Sequence, residues 1–224
     1  MTYVIGVIKG KRFSLVNRIF IWVMLLSIPK AMALYSNVKF VPVAPDELGS
    51  AIVRCIHKDN HGFIWFGTGN GLIRYDGTIT YRYEYTPDDP GSIPNNRINA
   101  FLEDRNHTLW IGTAQGLIKY NREKDNFINF DSIPGIMNQL NNRYITSLCI
   151  DTHGKIWIGT HGNGLNVYDP AKMSITYVSE QTTGSQRSPS NYITSMFLKG
   201  NQIWTGTKGG LRVYDILNIQ PKSI

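Results

Sequence analysis

The chain has 224 residues, of which 23 are Lys or Arg and 16 are Asp or Glu, and its formal net charge is +7. The first 33 residues contain five of the basic residues and no acidic one, which leaves 18 basic against 16 acidic residues in the remainder. This nearly neutral remainder lacks the concentrated basic face that nucleic-acid binding needs, and we expect no nucleic-acid partner. The length is sufficient for a domain with a sizeable core.

Residues 1–33 have the layout of a secretory signal peptide. A basic stretch is followed by the apolar run 19–28, then by Pro29 and by Ala31-Met32-Ala33, which has the form of a cleavage site. The apolar run is about ten residues long, whereas a helix that spans a bilayer needs ~20. The sequence therefore predicts export to the periplasm with cleavage after Ala33. The alternative is an uncleaved signal, which would be the chain's only contact with a membrane.

A strand-like segment at 37–43 precedes a motif that recurs four times. The motif is Trp-X-Gly-Thr, and its copies lie 45 to 47 residues apart. The Trp and Gly residues that we assign a structural role in each copy are Trp65, Gly67, Trp110, Gly112, Trp157, Gly159, Trp204 and Gly206. Chance does not produce four such copies, so the region 34–215 is a repeat array.

Each repeat contains four short β-type runs separated by turn residues. The repeats cover about 51–96, 97–142, 143–190 and 191–215. A four-stranded unit near 45 residues is the size of one β-propeller blade, and a β-solenoid, the rival architecture, has shorter coils. The sequence predicts an all-β fold, a β-propeller of four-stranded antiparallel blades. Its four repeats would form either a partial ring or a small closed propeller.

The Trp on the second strand is expected to fill the space between neighbouring sheets. The Gly two residues later would allow the next sheet to approach closely. The recurring Asp59, Asp104 and Asp151 lie at strand ends, where carboxylates accept hydrogen bonds from nearby backbone N–H groups. The two cysteines, Cys55 and Cys149, lie in different blades at non-equivalent positions, and we expect them to be unpaired and buried.

The ends of the array raise the question of closure. The fourth repeat is predicted to stop after its third strand at about Asp215, with an irregular tail at 216–224. The segment 37–43 would then supply the outer strand of the last blade, which would leave no open edge. Further blades outside this chain, or self-association, are the alternatives.

The pattern of the third repeat resembles the two-component regulator propeller repeat. It reads Asp-X-X-Gly-X-Ile-Trp-Ile-Gly-Thr over 151–160 and Gly-Leu-X-X-Tyr-Asp over 164–169. The resemblance covers about 38–215. It implies the N-terminal part of the periplasmic sensor of a Bacteroidetes hybrid two-component system, truncated to four repeats. It further implies a non-enzymatic module that senses an oligosaccharide.

The loops that join the second and third strands, and those that join successive blades, share one face of a propeller. Variable loops on a rigid scaffold are where binding residues usually lie. The candidate ligand-binding residues on this face are Asn70, Gln115, Tyr144, His161, Asn163, Tyr192 and Lys208. The alternative interpretation is that the amide, Gly and Lys residues are simply turn formers.

Catalytic and metal-binding patterns are missing from the sequence. Two His residues, His61 and His153, occupy equivalent positions in the first hairpin turn of their repeats and are interpreted as turn residues. We expect no metal and no cofactor. On the first strands, the residues predicted to face the central channel are poor catalysts: Cys55, Ala100, Ser147 and Ser195. The alternatives to a sensor module are an exported lyase-like propeller enzyme and a truncated remnant without function.

Overall fold

A computed structural model describes Leu48, residues 51–136, 140–179 and 188–219, and the backbone of 221–222. The chain divides into two units, Met1–Val43 and Ala44–Ile224, and every described residue belongs to the second. The predicted signal 1–33 and the predicted strand 37–43 lie outside the described residues. The helical segments among the described residues are all too short or too polar to cross a membrane.

The described residues form sixteen strands in four antiparallel sheets, and the strands of each sheet follow one another in sequence order. Blade 1 contains β1 (Val53–Lys58), β2 (Ile64–Thr68), β3 (Leu72–Tyr75) and β4 (Thr80–Tyr83). Blade 2 contains β5 (Ile98–Glu103), β6 (Leu109–Thr113), β7 (Gly116–Asn121) and β8 (Asn126–Asn129). Blade 3 contains β9 (Ile145–Ile150), β10 (Ile156–Thr160), β11 (Leu165–Asp169) and β12 (Ser174–Val178). Blade 4 contains β13 (Ile193–Lys199), β14 (Gln202–Thr207), β15 (Gly210–Asp215) and β16 (Pro221–Lys222). The predicted four-bladed propeller architecture is thus confirmed.

The first strand of each blade contacts the first strand of the next, β1 with β5, β5 with β9 and β9 with β13. Three hydrophobic clusters fill the spaces between successive blades, each built on a Trp of the repeated motif. The Gly of the motif lies beneath the next blade. A Cβ atom added at Gly112 would lie 2.7 Å from Cγ2 of Ile145, and one at Gly159 would lie 2.6 Å from Cγ2 of Ile193. At both positions, an added side chain would meet the Ile of the adjacent sheet.

The recurring Asp residues organise the hairpin that precedes each Trp. In blade 3, Oδ1 of Asp151 accepts hydrogen bonds from the backbone N–H groups of His153 and Lys155, at 2.8 and 3.0 Å. Its Oδ2 accepts a hydrogen bond from the indole N–H of Trp157 at 3.0 Å. Asp59 and Asp104 make the equivalent contacts in their own blades. The carboxylates therefore have the predicted structural role, and they also hold the tryptophans in place.

Blade 4 departs from this pattern. Its first strand ends at Lys199, where the other repeats have Asp. The indole nitrogen of Trp204 is buried, and no described residue accepts a hydrogen bond from it. Leu211 is 45% exposed, whereas its equivalents Leu117 and Leu165 are at most 1% exposed. Phe197, paired with Trp204 across the sheet, is 65% exposed. Blade 4 therefore presents an interblade face that the described residues do not cover.

The outer position of blade 4 is occupied by β16, which pairs with β15. This corrects the prediction that the tail 216–224 is irregular and that the fourth blade has three strands. The tail lacks the aromatic residues that mark the other outer strands. Backbone pairing with the free edge of β15 does not require them, as the pairs Val213 with Lys222 and Tyr214 with Pro221 show. Whether segment 37–43 pairs with any blade stays a prediction.

The two cysteines are free, as predicted. Both are partly buried, and each packs against the hydrophobic cluster between its own blade and the next. Burial raises the pKa of the Cys55 thiol to about 12, so the thiol is neutral and inert at physiological pH.

Candidate functional site

A bulge in the first strand of every blade shapes the inner wall of the propeller. In each blade the pairing register with the second strand shifts at the second residue of the first strand. The residues at this position are Arg54, Asn99, Thr146 and Thr194. A bulge redirects the side chain of the extra residue and commonly occurs beside functional sites.

These four side chains line one cavity of about 370 Å³. The cavity is completed by Arg97, Tyr144, His161 and Ile193. The sequence interpretation had placed Cys55, Ala100, Ser147 and Ser195 on the channel wall. The structure corrects this, because none of these four residues lines the cavity, and each pairs with a Gly of the Trp-X-Gly-Thr motif. The available signal was a polar residue at the second position of every first strand.

The rim of the cavity follows from the repeat topology. In each of blades 2 to 4, the residue after the second strand donates its backbone N–H to the carbonyl of the residue before the first strand. The pairs are Ala114 with Arg97 at 3.0 Å, His161 with Tyr144 at 3.0 Å, and Lys208 with Tyr192 at 3.1 Å. A β-bridge between His161 and Tyr192 then joins blade 3 to blade 4. The side chains Arg97, Tyr144, His161, Tyr192 and Lys208 therefore form a continuous row, which we call the rim row.

Within the rim row, aromatic and cationic groups contact one another. The imidazole centroid of His161 lies 5.0 Å from the ring centroids of both Tyr144 and Tyr192. The guanidinium carbon of Arg97 lies 5.5 Å from the Tyr144 ring centroid, and Nζ of Lys208 lies 4.4 Å from that of Tyr192. Arg97, His161 and Lys208 are exposed, and both tyrosines are half-buried. The row is therefore a solvent-facing surface held by cation–π contacts.

Inside the cavity, Nε of Arg54 donates a hydrogen bond to Oδ1 of Asn99 at 3.0 Å. Nδ2 of Asn99 in turn donates to the carbonyl of Ile145 at 2.7 Å, which orients the amide. The hydroxyl of Thr146 is buried and has no hydrogen-bond partner in the part of the chain that the structure describes. A buried polar atom without a partner is unusual, and here it lies in the wall of a cavity that can admit a polar ligand.

Four of the seven predicted ligand-binding residues come together in the rim row: Tyr144, His161, Tyr192 and Lys208. Asn70 and Gln115 lie in the turns after the second strands, where their backbone N–H groups donate to Oγ1 of Thr68 and Thr113. This is the turn chemistry of the alternative interpretation. Gln115 also lines a separate cavity of about 430 Å³.

Asn163 belongs to a cluster of amides beside the rim. Its Nδ2 donates to the carbonyl of Asn141 at 3.0 Å, and its Oδ1 accepts from Asn142 at 3.2 Å. Asn166, which is fully buried, completes the cluster by donating to Oδ1 of Asn141 at 2.8 Å. Both polar atoms of the Asn163 side chain are therefore engaged in contacts within the protein.

Arg97 and the four bulge residues are the site residues that could not be identified from the sequence.

A second polar cluster joins blade 1 to blade 2 away from this cavity. Oδ1 of Asp125 accepts hydrogen bonds from the hydroxyls of Tyr83 and Tyr120, at 2.7 and 2.5 Å, and from Arg74 at 3.0 Å. Burial and the hydrogen bond to Asp125 raise the pKa of both tyrosines. Because the carboxylate, the two hydroxyls and the guanidinium bind one another, the cluster acts as an interblade clamp.

The chemical groups that line the cavity are suited to binding a ligand. Its lining contains no carboxylate, and the ring contacts of His161 are with two tyrosines. No group of three or more His, Cys, Asp or Glu among the described residues could hold a metal ion. The cavity therefore offers amide, hydroxyl, aromatic and cationic groups at one edge of a rigid scaffold.

Comparison with known proteins bears on these features. The family model described as "Two component regulator propeller" matches residues 47–70, 92–115 and 139–162. Each matched segment covers the first two strands of one of blades 1 to 3. No curated protein matches the chain.

Solved structures with the same fold include two extracellular sensor domains from B. thetaiotaomicron. That of a putative hybrid two-component system is 26% identical over 77% of this chain and 24% of its own length, with a TM-score of 0.64. That of a putative one-component system is 22% identical over 85% of this chain and 28% of its own length, with a TM-score of 0.63. Virginiamycin B lyase from Staphylococcus aureus shares the fold at 13% identity, over 77% of this chain and 55% of the lyase, with a TM-score of 0.55. The chain spans about a quarter of the length of the two sensor domains.

Proposed function

We propose that the chain is a two-component regulator propeller repeat protein, and that it is a non-enzymatic, periplasmic ligand-binding module of a glycan sensor, with an oligosaccharide as its ligand. The module would contribute binding, and other parts of a sensor would transmit the signal. The similarity to an extracellular domain and the predicted signal peptide support the location.

The observation that supports this function best is the rim row above the cavity. Tyrosine combines an apolar ring face with a polar hydroxyl, which suits the apolar faces and hydroxyl groups of sugars. Two such rings, Tyr144 and Tyr192, lie on either side of His161. Below them, Asn99 and Thr146 offer amide and hydroxyl groups to sugar hydroxyls. Ligand sites in general combine apolar or aromatic surface with a few placed polar groups.

The rigidity of the scaffold supports the same conclusion. The rim residues are held by backbone hydrogen bonds within each blade and by the bridge between blades 3 and 4. A site whose side chains are pre-positioned loses less conformational entropy on binding. Such a site therefore binds a flexible oligosaccharide better than the same residues on mobile loops.

The test is a calorimetric titration of the purified chain with a panel of neutral and acidic oligosaccharides. We expect at least one to bind, and we expect Tyr192→Ala to weaken that binding about tenfold, the effect of losing ~1.4 kcal/mol of contact. The matched control is Tyr177→Ala, which removes a 52% exposed tyrosine from an outer strand. Circular dichroism would show that both variants are folded.

Three results would contradict the proposal. The first is a panel in which no oligosaccharide binds to the folded chain. The second is equal loss of affinity in Tyr192→Ala and Tyr177→Ala, which would place the ligand elsewhere. The third is conversion of a bound oligosaccharide to product, which would show an enzyme rather than a sensor module.

A further inference from the structure

The charge of the cavity differs from that of the rest of the repeat region. The cavity and its rim contain the cations Arg54, Arg97 and Lys208, and the lining includes neither Asp nor Glu. The residues after position 33 are almost balanced, with 18 basic and 16 acidic side chains. Three cations without a carboxylate therefore represent a local excess, which raises the concentration of anions at this surface.

The side chains that contact these three cations differ from those that contact three arginines elsewhere in the chain. Arg74, Arg122 and Arg143 each form an ion pair with an Asp, at 3.0, 3.0 and 2.7 Å. Arg97 and Lys208 instead lie over the rings of Tyr144 and Tyr192, and Arg54 donates to the neutral amide of Asn99. Within the described residues, none of the three has a carboxylate within 4.0 Å. Their charge is thus available to a ligand.

The chemistry of the inner wall is suited to an oxyanion. Asn99 engages the Nε of Arg54, and the planar guanidinium presents donors in the fork geometry that matches carboxylate or sulfate. The hydroxyl of Thr146, which lines the same cavity, is buried and has no hydrogen-bond partner among the described residues. A neutral sugar hydroxyl would use only part of this donor capacity.

We infer that the ligand is an anionic oligosaccharide, one that carries carboxylate or sulfate groups, bound with its charged groups at Arg54, Arg97 and Lys208 and with its sugar rings along Tyr144 and Tyr192. This inference rests on the function proposed above. The rim row extends over blades 2, 3 and 4, so the ligand is an oligomer rather than a single anion. A cation and aromatic row also suits single-stranded nucleic acid, but the near-neutral charge of the remaining surface favours the sugar.

The test compares ligands that differ in charge and share a backbone. The first pair is a galacturonate oligosaccharide and its fully methyl-esterified form, which lacks the negative charge. A sulfated chondroitin oligosaccharide distinguishes sulfate from carboxylate recognition, and a thymidine oligonucleotide of similar length tests nucleic acid. Dissociation constants are measured by calorimetry at about 50 mM and about 300 mM salt, because salt screens exposed charge pairs.

We expect at least one anionic oligosaccharide to bind at least about tenfold more tightly than the neutral ester, with a smaller difference at the higher salt concentration. Arg97→Gln and Arg54→Gln should each weaken binding of the acid about tenfold and change binding of the ester less than about twofold. Arg97→Lys, which keeps the charge but not the fork, should recover part of the loss. The control is Lys124→Gln, which removes an equal charge from an exposed turn at the opposite ends of the strands.

The outcomes separate this inference from the proposed function. If the ester or another neutral oligosaccharide binds as tightly as every acid, the anionic class is wrong although oligosaccharide binding stands. If the oligonucleotide binds more tightly than any acidic oligosaccharide, the ligand class is wrong. If no oligosaccharide of either kind binds to the folded chain, the proposed function itself fails and the inference fails with it.

Discussion

Leu165 and Leu211 occupy the same position of the third strand in blades 3 and 4, and replacing each by Ala tests the account of blade stacking. Leu165 is fully buried in the cluster between blades 3 and 4, beside Trp157 and Ile193. Leu211 lies on the far side of blade 4 and is 45% exposed. The two substitutions remove the same three carbon atoms from equivalent backbone positions, so their difference reports the packing of the two faces.

The expected magnitudes follow from burial. Removing three buried carbons costs ~2.4 kcal/mol in transfer free energy, at ~0.8 kcal/mol for each carbon. A cavity term adds to this in a packed core, and Leu165→Ala should cost about 3–4 kcal/mol in total. About half of the Leu211 side chain already lies in water, and water can occupy the vacated space. Leu211→Ala should therefore cost only ~1 kcal/mol.

The assay is urea denaturation of the whole chain, followed by tryptophan fluorescence and by circular dichroism. Coincident transitions and an unchanged dependence on urea concentration are needed for the free energies to be compared. Leu117→Ala, at the equivalent buried position of blade 2, should behave like Leu165→Ala. Equal costs for Leu165→Ala and Leu211→Ala would refute the reasoning. If the Leu211→Ala midpoint also depended on protein concentration, another copy of the chain would be covering blade 4.

Further predictions concern the tryptophans, the glycines and the acid limit of stability. Trp110→Ala should cost ~3–5 kcal/mol by urea denaturation, and a loss below about 1 kcal/mol would exclude its packing role. Gly159→Ala should destabilise the chain by more than about 1 kcal/mol, because its Cβ would lie 2.6 Å from Cγ2 of Ile193. Gly206→Ala should cost less than half as much, since the nearest atoms to its Cβ are the side-chain oxygens of Ser195 and Thr194. Burial acts to raise the pKa of Asp59, but hydrogen bonds from Trp65 and Arg122 hold it below the ordinary value of 3.8. Its stabilising contribution is therefore complete above pH 3.8 and is lost as the pH falls through the lower folded value. The loss of stability between about pH 5 and about pH 2 should be smaller in Asp59→Asn than in the parent chain, and equal losses would exclude this carboxylate as its source.

The blade architecture could be predicted from the sequence because one short motif specifies several contacts at once. The Trp side chain fills the interblade space, the Gly accommodates Ile145 or Ile193 of the next blade, and the preceding Asp fixes the hairpin. These interactions lie within one repeat or between adjacent repeats. A pattern that recurs every 45 to 47 residues therefore reveals them without any knowledge of distant contacts.

The candidate site was predicted only in part because its geometry depends on register. Alternation along an inner strand assigns Ser147 to the channel, whereas the bulge shifts the register and places Thr146 there. A bulge is a property of two paired strands, and the sequence of one strand does not specify it. The contacts of the Asn163 side chain with other amides could not be predicted for a related reason. Its amide partners Asn141 and Asn142 are more than twenty residues away, and their contact depends on the path of the loop.

The repeat also explains why the rim row is confined to blades 2, 3 and 4. Each blade supplies one bulge residue to the inner wall, and in each of blades 2 to 4 the same backbone hydrogen bond joins two rim positions. In blade 1 the equivalent rim positions are Ile52 and Gly69, which carry neither charge nor an aromatic ring. The aromatic and cationic side chains begin with Arg97 and end with Lys208. Since the backbone is shared, the extent and the charge of the site depend only on which residues occupy these few positions. Exchanging them would change the ligand and leave the tryptophans that pack between the blades in place.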